Sequence, residues 1–315
     1  MENMLSYTYL EETFGIKKNL ITLAKESETE LKEQFSRMDG IAEYNQLKVL
    51  HAMQKNRLSE SHFVPTTGYG YHDAGRNVLE EIYTDVFKAE SALVRPQIIS
   101  GTHALTTALF SCLHHGDELL SAVGKPYDTL ESVIGIRPAR GSLAEYGITY
   151  RQAELVNGCV DWGNLKREIN SKTKVVLIQR SKGYAWRKSL TNLDIGELIG
   201  RIKSIRSDLI CLVDNCYGEF VDTDEPIEFG ADLVVGSLIK NPGGGIAPVG
   251  GYIAGKKEYV ENAAARLTAP GLGKEVGPSL GLTKALTQGL FFAPQAVNAS
   301  VKAAIFAAHI LEKLG

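Results

Sequence analysis

Residues 232–245 read DLVVGSLIKNPGGG, and this stretch decides the fold class. A short run rich in β-branched residues, 232–236, is followed at once by Ser237 and then by Lys240. Continuous apolar runs of this length are typical of strands buried on both faces of a parallel sheet. A lysine that emerges beside such a strand is predicted to have a lowered pKa, which an amine that attacks a carbonyl requires.

The three glycines at 243–245 bear on the role of Lys240. A lysine here could simply extend its flexible chain to solvent. Consecutive glycines disfavour that interpretation, because they suggest a backbone that passes close to a ligand. We therefore expect Lys240 to be a reactive group at the carboxyl end of a strand.

Similar apolar runs recur along the chain and alternate with amphipathic helical segments such as 76–88, 104–114 and 193–204. This alternation predicts an α/β fold with a mostly parallel sheet that is covered by helices on both faces. A hairpin-like segment at 248–254 predicts one antiparallel strand at the end of this block. The predicted strands are 97–100, 118–122, 174–179, 209–214 and 232–236.

The chain has 315 residues, which at about 150 residues per domain favours two domains. Residues 1–60 are predicted to form a helical N-terminal arm and 61–290 a large domain that begins with a loop rich in glycine, proline and threonine. Pro294 is expected to separate a helix at 280–290 from a second, long helix at 295–314.

Composition excludes several classes of protein. Hydrophobic residues make up 44% and charged residues 23%, which is ordinary for a globular chain and excludes disorder. The formal net charge of −3 predicts binding to neither nucleic acid nor an anionic membrane. We find no apolar run of 18 residues and no leader-like start, and four cysteines without paired spacing predict buried, reduced thiols and a cytoplasmic location.

Common ligand motifs are absent or incomplete. Gly68, Gly70 and Gly75 lack the spacing and the preceding strand of a dinucleotide-binding loop. Pro126 stands where a Walker loop needs serine or threonine after Lys125. The seven histidines are scattered, and we predict no metal site.

Two further features match the lysine stretch. Ser100-Gly101-Thr102 lies at a predicted helix N-terminus, where free N–H groups and the helix dipole favour a phosphate. Asp214 ends the apolar run 209–214, where α/β sheets place their ligands. Taken alone, the first could be an ordinary helix cap and the second a cap or turn residue.

In combination, these features fit pyridoxal 5′-phosphate. A carboxylate such as that of Asp214 would keep the pyridine nitrogen protonated, and Lys240 would hold the aldehyde. The turn at Gly101 and Thr102 would bind the phosphate, with a further hydrogen bond from Ser237.

At this point the sequence resembles the fold-type-I pyridoxal-phosphate enzymes of the Cys/Met-metabolism group. It is most similar to the branch of aluminium-resistance proteins, also called methionine γ-lyase-like or cystathionine β-lyase-like. The resemblance implies a three-layer αβα large domain of the aspartate aminotransferase type, with a mostly parallel sheet and an N-terminal helical arm. It is carried by residues 67–83, 100–105, 213–220 and 236–245.

The resemblance also implies roles for single residues. Lys240, Asp214 and Tyr127 would be catalytic, and Tyr127 would stack on the cofactor ring, although its position also suits a turn tyrosine with a buried edge. Gln179 or Ser181 would lie near the ring oxygen. The implied cofactor-binding residues are Gly101, Thr102, Tyr127, Gln179, Asp214, Ser237, Lys240, Tyr69 and Tyr71.

In the related enzymes a Tyr-x-Arg segment of the neighbouring subunit reaches the phosphate. The matching loop here is Tyr69-Gly70-Tyr71, without the arginine, and Arg76 follows downstream. Tyr69, Tyr71 or Arg76 could take that role. The resemblance therefore implies a homodimer or homotetramer whose active site lies at the subunit interface.

The activity implied is elimination of a thiol from a small sulfur-containing amino acid, of the cystathionine β-lyase or methionine γ-lyase type. An aminotransferase and a non-catalytic protein that binds pyridoxal phosphate are the alternatives. In related enzymes a long interdomain helix leads into a smaller C-terminal domain. The resemblance implies that residues 291–315 start this helix, and the end at Gly315 predicts that the smaller domain is absent here.

Overall fold

A computed structural model describes residues 4–315, with side chains from residue 6 onward, so the first three residues of the predicted arm lie outside it. The described strands are β1 (Ser91–Arg95), β2 (Glu118–Ser121), β3 (Thr149–Gln152), β4 (Leu155–Val156), β5 (Cys159–Val160), β6 (Thr173–Gln179), β7 (Ile210–Asp214), β8 (Leu233–Ser237) and β9 (Gly251–Gly255). The main sheet has the order β1-β9-β8-β7-β6-β2-β3, and β4 pairs with β5 apart from it.

The sheet is mostly parallel, as the alternation of apolar and amphipathic segments predicts. Parallel pairing runs from β8 through β7, β6 and β2 to β3. β9 is antiparallel to both β8 and β1, which confirms the antiparallel strand predicted at 248–254.

One predicted strand is wrong. Residues 97–100 do not form a strand, because the chain turns directly after β1. The N–H of Ile98 donates to the carbonyl oxygen of Arg95 (3.3 Å), and Pro96 occupies the position in this turn that its fixed φ suits. The apolar run ends in Ile99, which is exposed, so the run does not form a buried strand.

The described helices are α1 (Met4–Phe14), α2 (Lys18–Glu30), α3 (Lys32–Lys55), α4 (Ala74–Val86), α5 (Gly101–Cys112), α6 (Asp128–Ile134), α7 (Trp162–Glu168), α8 (Asn192–Ile205), α9 (Lys257–Leu267) and α10 (Thr283–Leu314). The first three form the predicted helical arm. Short 3₁₀ turns connect several of the other elements.

Two hydrophobic cores lie on opposite faces of the sheet, which makes the fold a three-layer αβα sandwich. In β7, Cys211 and Val213 point into the core that includes α3, α4, α8 and the first half of α10. Ile210 and Leu212 point into the other core, with α5, α6 and α9. Because side chains alternate along a strand, a run that is apolar throughout is buried on both faces.

Pro294 does not end a helix, contrary to the prediction. It lies inside α10, a single helix from Thr283 to Leu314. An internal proline costs about 3 kcal/mol, but α10 is held on both sides of it. Before it, Gln46 donates to the Phe291 carbonyl (2.9 Å), and after it, Lys302 binds Asp39 (2.9 Å). This packing against α3 outweighs the cost of the proline.

α10 is also the one described helix that is long and apolar enough to cross a membrane, judged by length and composition alone. Only 22% of its most apolar 18-residue window is buried. Core helices pass the same test, and residues of its first half, such as Leu290 and Val297, belong to the core. The predicted domain boundary near residue 290 falls inside this helix, and the division into domains stays a prediction.

The four cysteines are unpaired, as predicted, but they are not all buried. Cys112, Cys211 and Cys216 are buried, whereas Cys159 is exposed. Cys159 belongs to the β4–β5 hairpin, which lies apart from the central sheet.

Candidate active site at the strand ends

The carboxyl ends of β6, β7 and β8 meet at one cavity of about 480 Å³. Gln179, Asp214 and Ser237 are the last residues of these strands, and all three line it. Parallel α/β sheets bind ligands at this edge. The cavity also contains the other residues predicted from sequence within one subunit, namely Gly101, Thr102, Tyr127, Ser181 and Lys240.

The start of α5 forms an anion-binding turn on one side of the cavity. Ser100 caps the helix, because its Oγ accepts a hydrogen bond from the N–H of His103 (3.1 Å). The N–H of Ala104 donates to the Ser100 carbonyl (3.0 Å). The remaining first-turn N–H groups, those of Gly101 and Thr102, are thereby left for a ligand at the positive end of the helix dipole.

Ser237 faces this turn with an unsatisfied hydroxyl. Its side chain is 1% exposed, and its Oγ has no hydrogen-bond partner among the described residues. A Cβ on Gly101 would lie 3.3 Å from the Cβ of Ser237 and 3.3 Å from the Sγ of Cys216. The absence of a side chain at Gly101 therefore lets the helix N-terminus approach the end of β8 closely. Because this hydroxyl lines the cavity opposite a helix N-terminus, it is available to donate a hydrogen bond to an anion bound there.

Asp214 is a buried carboxylate at the floor of the cavity. It is 3% exposed, and its Oδ1 accepts from the N–H of Cys216 (3.1 Å). Burial raises the pKa of Asp214, and this outweighs the hydrogen bonds from Cys216 and the charge of Lys240, which lower it. Because burial disfavours the ionised form of Asp214, a cationic partner would stabilise that form.

The surroundings of Lys240 differ from the sequence prediction. Its Nζ lies 4.1 Å from the centre of the Tyr217 ring, within the range of a cation–π contact. Burial alone lowers the pKa of Lys240, but the acidic groups of Cys216, Tyr217 and Asp214 raise it above its ordinary value. The predicted lowering is thus wrong for the protein without a ligand, because these groups line the same wall.

A hydrogen bond joins Tyr127 to Gln179 in the lining of the cavity. The backbone N–H of Tyr127 donates to Gln179 Oε1 (3.0 Å), and its hydroxyl lies 3.3 Å from Thr102 Oγ1. Gln179 Nε2 donates to the Ser181 carbonyl (3.0 Å). Burial raises the pKa of Tyr127, so its hydroxyl remains protonated at neutral pH. Gln179 therefore positions the tyrosine through its backbone.

Sequence reasoning missed two residues of this wall, Cys216 and Tyr217. Burial raises the pKa of the Cys216 thiol well above its usual value. Tyr217 has a left-handed backbone with φ of 69°, a conformation that costs of order 1–3 kcal/mol in a non-glycine residue. Their positions, two and three residues after Asp214 at the end of its strand, could have identified them from the sequence.

The triple glycine has a different role from the predicted one. A Cβ on Gly243 would lie 1.8 Å from the Leu238 carbonyl oxygen, and one on Gly244 would lie 2.4 Å from the Gly289 carbonyl oxygen. Gly243 and Gly244 thus allow close packing of this turn on itself and on α10. They do not line the cavity, so the argument from glycine to a nearby ligand does not hold here.

The loop with Tyr69 and Tyr71 does not reach the cavity of its own chain. The two side chains are 74% and 53% exposed, and their rings lie 5.9 Å apart. Arg76 is buried, and its Nη1 donates to the carbonyls of Gly70 (2.8 Å) and Gly277 (3.1 Å). Arg76 therefore holds the loop in place, while a role of the tyrosines in a neighbouring subunit stays a prediction.

A buried polar network lies behind the strand ends. Asn215 accepts from Arg180 Nη1 (2.8 Å) and donates to Glu225 Oε2 (3.0 Å). The Tyr252 hydroxyl donates to Glu219 Oε1 (2.7 Å), and burial raises the pKa of Glu219 to about 8. Among the side chains that the structure describes, no three His, Cys, Asp or Glu residues form a metal-binding group.

The three-layer αβα sandwich is shared with other solved structures. The Escherichia coli protein YhfS, described as pyridoxal-5′-phosphate dependent, has the same fold with a TM-score of 0.63. It is 18% identical, over 84% of this chain and 68% of that chain, so the likeness shows the fold alone.

The family model described as methionine gamma-lyase matches residues 20–315, and the chain belongs to that family. YnbB of Bacillus subtilis strain 168 is 50% identical over 93% of this chain and 70% of its own length.

Two clostridial crystal structures match 99% of this chain, and the matched part makes up 75% of each of those chains. That from Clostridium acetobutylicum, provisionally named a cystathionine beta-lyase involved in aluminum resistance, is 46% identical with a TM-score of 0.96. That from Clostridium novyi NT, called a carbon-sulfur lyase involved in aluminum resistance, is 45% identical with a TM-score of 0.95.

Proposed function

We propose that this chain binds pyridoxal 5′-phosphate and catalyses elimination of a thiol from a sulfur-containing amino acid. The observation that carries the proposal is the convergence of Lys240, Asp214 and the Gly101 turn on one cavity. The names of the clostridial relatives support the carbon–sulfur lyase reaction.

The residues present fit this cofactor. The free N–H groups of Gly101 and Thr102 and the orphan hydroxyl of Ser237 would bind its phosphate. Asp214, whose pKa burial raises, would pair with the protonated ring nitrogen. Lys240 would hold the aldehyde, and Tyr127 would cover the ring.

When bound, the cofactor supplies an electron sink for the charge left by a departing α-proton. Lys240 Nζ would accept this proton as general base, for which it must first be neutral. Pairing of Asp214 with a cation offsets one of the charges that raise the Lys240 pKa. Ligand binding would therefore bring the lysine closer to its reactive form.

Tyr127 and Gln179 would position the reacting carbon. The hydrogen bond from Tyr127 N–H to Gln179 fixes the tyrosine backbone beside the cavity. Its protonated hydroxyl is available as a donor towards the sulfur atom that leaves with the electrons of the broken bond. Water then hydrolyses the imine that remains after the thiol has left, which gives ammonia and a 2-oxo acid.

The test combines a spectrum with product analysis. The purified protein is expected to carry a visible absorbance band of the bound cofactor and to release thiol from cystathionine or methionine. Transfer of the amino group to an added 2-oxo acid without thiol release would instead identify an aminotransferase. Cofactor binding without turnover of either kind would identify a non-catalytic protein.

We also propose that the active site is completed in a homodimer or homotetramer. The support is the exposed Tyr69–Tyr71 pair on a loop that Arg76 holds rigidly. Analytical ultracentrifugation should show a dimer or tetramer. A Tyr71→Ala chain mixed with a Lys240→Ala chain should recover activity if each supplies what the other lacks, and a monomer with full activity would contradict the proposal.

A further inference from the structure

A second cavity of about 320 Å³ adjoins the first. Ser181, Cys216 and Tyr217 line both cavities, so the two share a wall next to Lys240. The second cavity lies between α3 and the segment at 180–191 that follows β6. Its volume is within the range of ligand pockets, which is roughly 300–1,000 Å³.

The lining of the second cavity combines apolar and cationic side chains. Met38, Ile41 and Val221 supply apolar surface. The charged residues of the lining are Arg37, Arg180 and Asp222. Behind Arg180 lie the carboxyls of Glu219 and Glu225, whose pKa values burial raises, so that they favour the uncharged form. Such a cavity suits a small aliphatic group that ends in a carboxylate.

Arg180 is the buried cation of this cavity, at 5% exposure. Its Nη1 donates to Asn215 Oδ1 (2.8 Å) and its Nε to the Leu190 carbonyl (3.3 Å). Within residues 4–315 no hydrogen bond of its Nη2 is found. Arg37 is exposed on α3 and forms no ion pair within the same residues. Guanidinium groups pair strongly with carboxylates, often through two parallel hydrogen bonds.

We propose that the second cavity binds the leaving half of the substrate and that this half carries a carboxylate. The inference rests on the proposed function, because it places bond cleavage in the first cavity beside the shared wall. A methanethiol leaving group would fill little of the volume and would pair with neither arginine. The substrate is accordingly a thioether whose departing thiol ends in a carboxylate, rather than methionine.

Matched substrates separate charge from size. S-(2-carboxyethyl) and S-propyl derivatives of cysteine and of homocysteine have leaving groups of equal length and cover both β- and γ-elimination. The holoenzyme is expected to prefer the carboxyethyl member of the productive pair by at least about tenfold in kcat/KM, the value of one charged hydrogen bond. Equal rates on both members would overturn the inference.

Arg37→Ala tests the site at an exposed position that leaves the fold intact. We expect kcat/KM for the carboxyethyl substrate to fall about five- to tenfold and that for the propyl substrate to change less than about twofold. Arg37→Lys should restore part of the loss. Lys32→Ala removes an exposed cation of the same helix outside the cavity and should change neither value. An equal loss on both substrates in Arg37→Ala would overturn the inference.

A binding measurement makes the result independent of turnover. Calorimetry with 3-(methylthio)propanoate, which has the carboxylate but no amino group to react, should show binding that Arg37→Ala weakens about five- to tenfold. If no derivative releases thiol, the proposed function fails, and calorimetry still decides on the cavity. Binding that is unchanged in Arg37→Ala would overturn the carboxylate site.

Discussion

The hydroxyl of Ser237 lies buried and without a partner opposite Gly101, where an added Cβ would be only 3.3 Å from the Ser237 Cβ. This relationship joins the end of β8 to the start of α5. It leaves one hydroxyl and two backbone N–H groups facing the same cavity. We interpret these three groups as a phosphate site.

Ser237→Ala should therefore weaken cofactor binding without weakening the fold. Loss of one hydrogen bond to a charged phosphate corresponds to about 1.5–3 kcal/mol, a rise of roughly 10- to 150-fold in the dissociation constant. Because Ser237 Oγ has no partner among the described residues, removing it should not lower the stability of the cofactor-free protein. Cofactor titration and urea denaturation give the two values, and unchanged affinity would refute the phosphate site.

Asp214→Ala and Asp214→Asn test the partner of the ring nitrogen. Both should reduce the elimination rate by several orders of magnitude and weaken cofactor retention, because an uncharged residue cannot keep that nitrogen protonated. Burial raises the pKa of Asp214, so ionising it costs the folded protein free energy. The cofactor-free Asp214→Asn protein should consequently be as stable as the wild type at neutral pH. Near-normal turnover would mean that a different carboxylate serves the ring.

Glu219→Gln should change how the free energy of unfolding depends on pH. Burial raises the Glu219 pKa from its ordinary 4.5 to about 8, so between these values the folded state binds more protons than the unfolded state. This contribution to stability is complete below pH about 4.5 and is lost as the pH rises towards 8. The slope is at most about 1.4 kcal/mol per pH unit.

The glutamine variant keeps the acceptor for the Tyr252 hydroxyl but cannot ionise. Urea denaturation at a series of pH values should show that Glu219→Gln loses less stability than the wild type between pH 5 and 8. Glu261→Gln, an exposed residue on α9, is the control and should leave the slope unchanged. Equal slopes in wild type and Glu219→Gln would show that Glu219 ionises normally.

Several features of the site could be predicted from local sequence because one rule governs them. Asp214 and Ser237 end strands, Lys240 follows one, and Gly101 begins a helix, and a parallel sheet brings such positions together at one edge. Gln179 also ends a strand, but its role near the cofactor ring came from the family resemblance, as did the role of Tyr127. All of these residues line the cavity.

The predictions that were wrong concern features that tertiary packing determines. Pro294 breaks an isolated helix, but contacts of α10 with α3 on both sides of it maintain the helix. The 243–245 glycines serve turn and helix packing, which no local pattern distinguishes from ligand contact. The pKa of Lys240 depends on Cys216 and Tyr217, whose side chains reach it only in the folded protein.

The proposed mechanism depends on Lys240 as the residue that holds the cofactor. Borohydride reduction of the purified protein followed by peptide mass mapping tests this most directly, because it fixes the cofactor to the nitrogen that carries it. We predict that the cofactor mass appears on the peptide that contains Lys240, and that Lys240→Ala loses both this adduct and the visible band while remaining folded. Attachment to a different lysine, or no attachment in protein that binds the cofactor, would contradict the account.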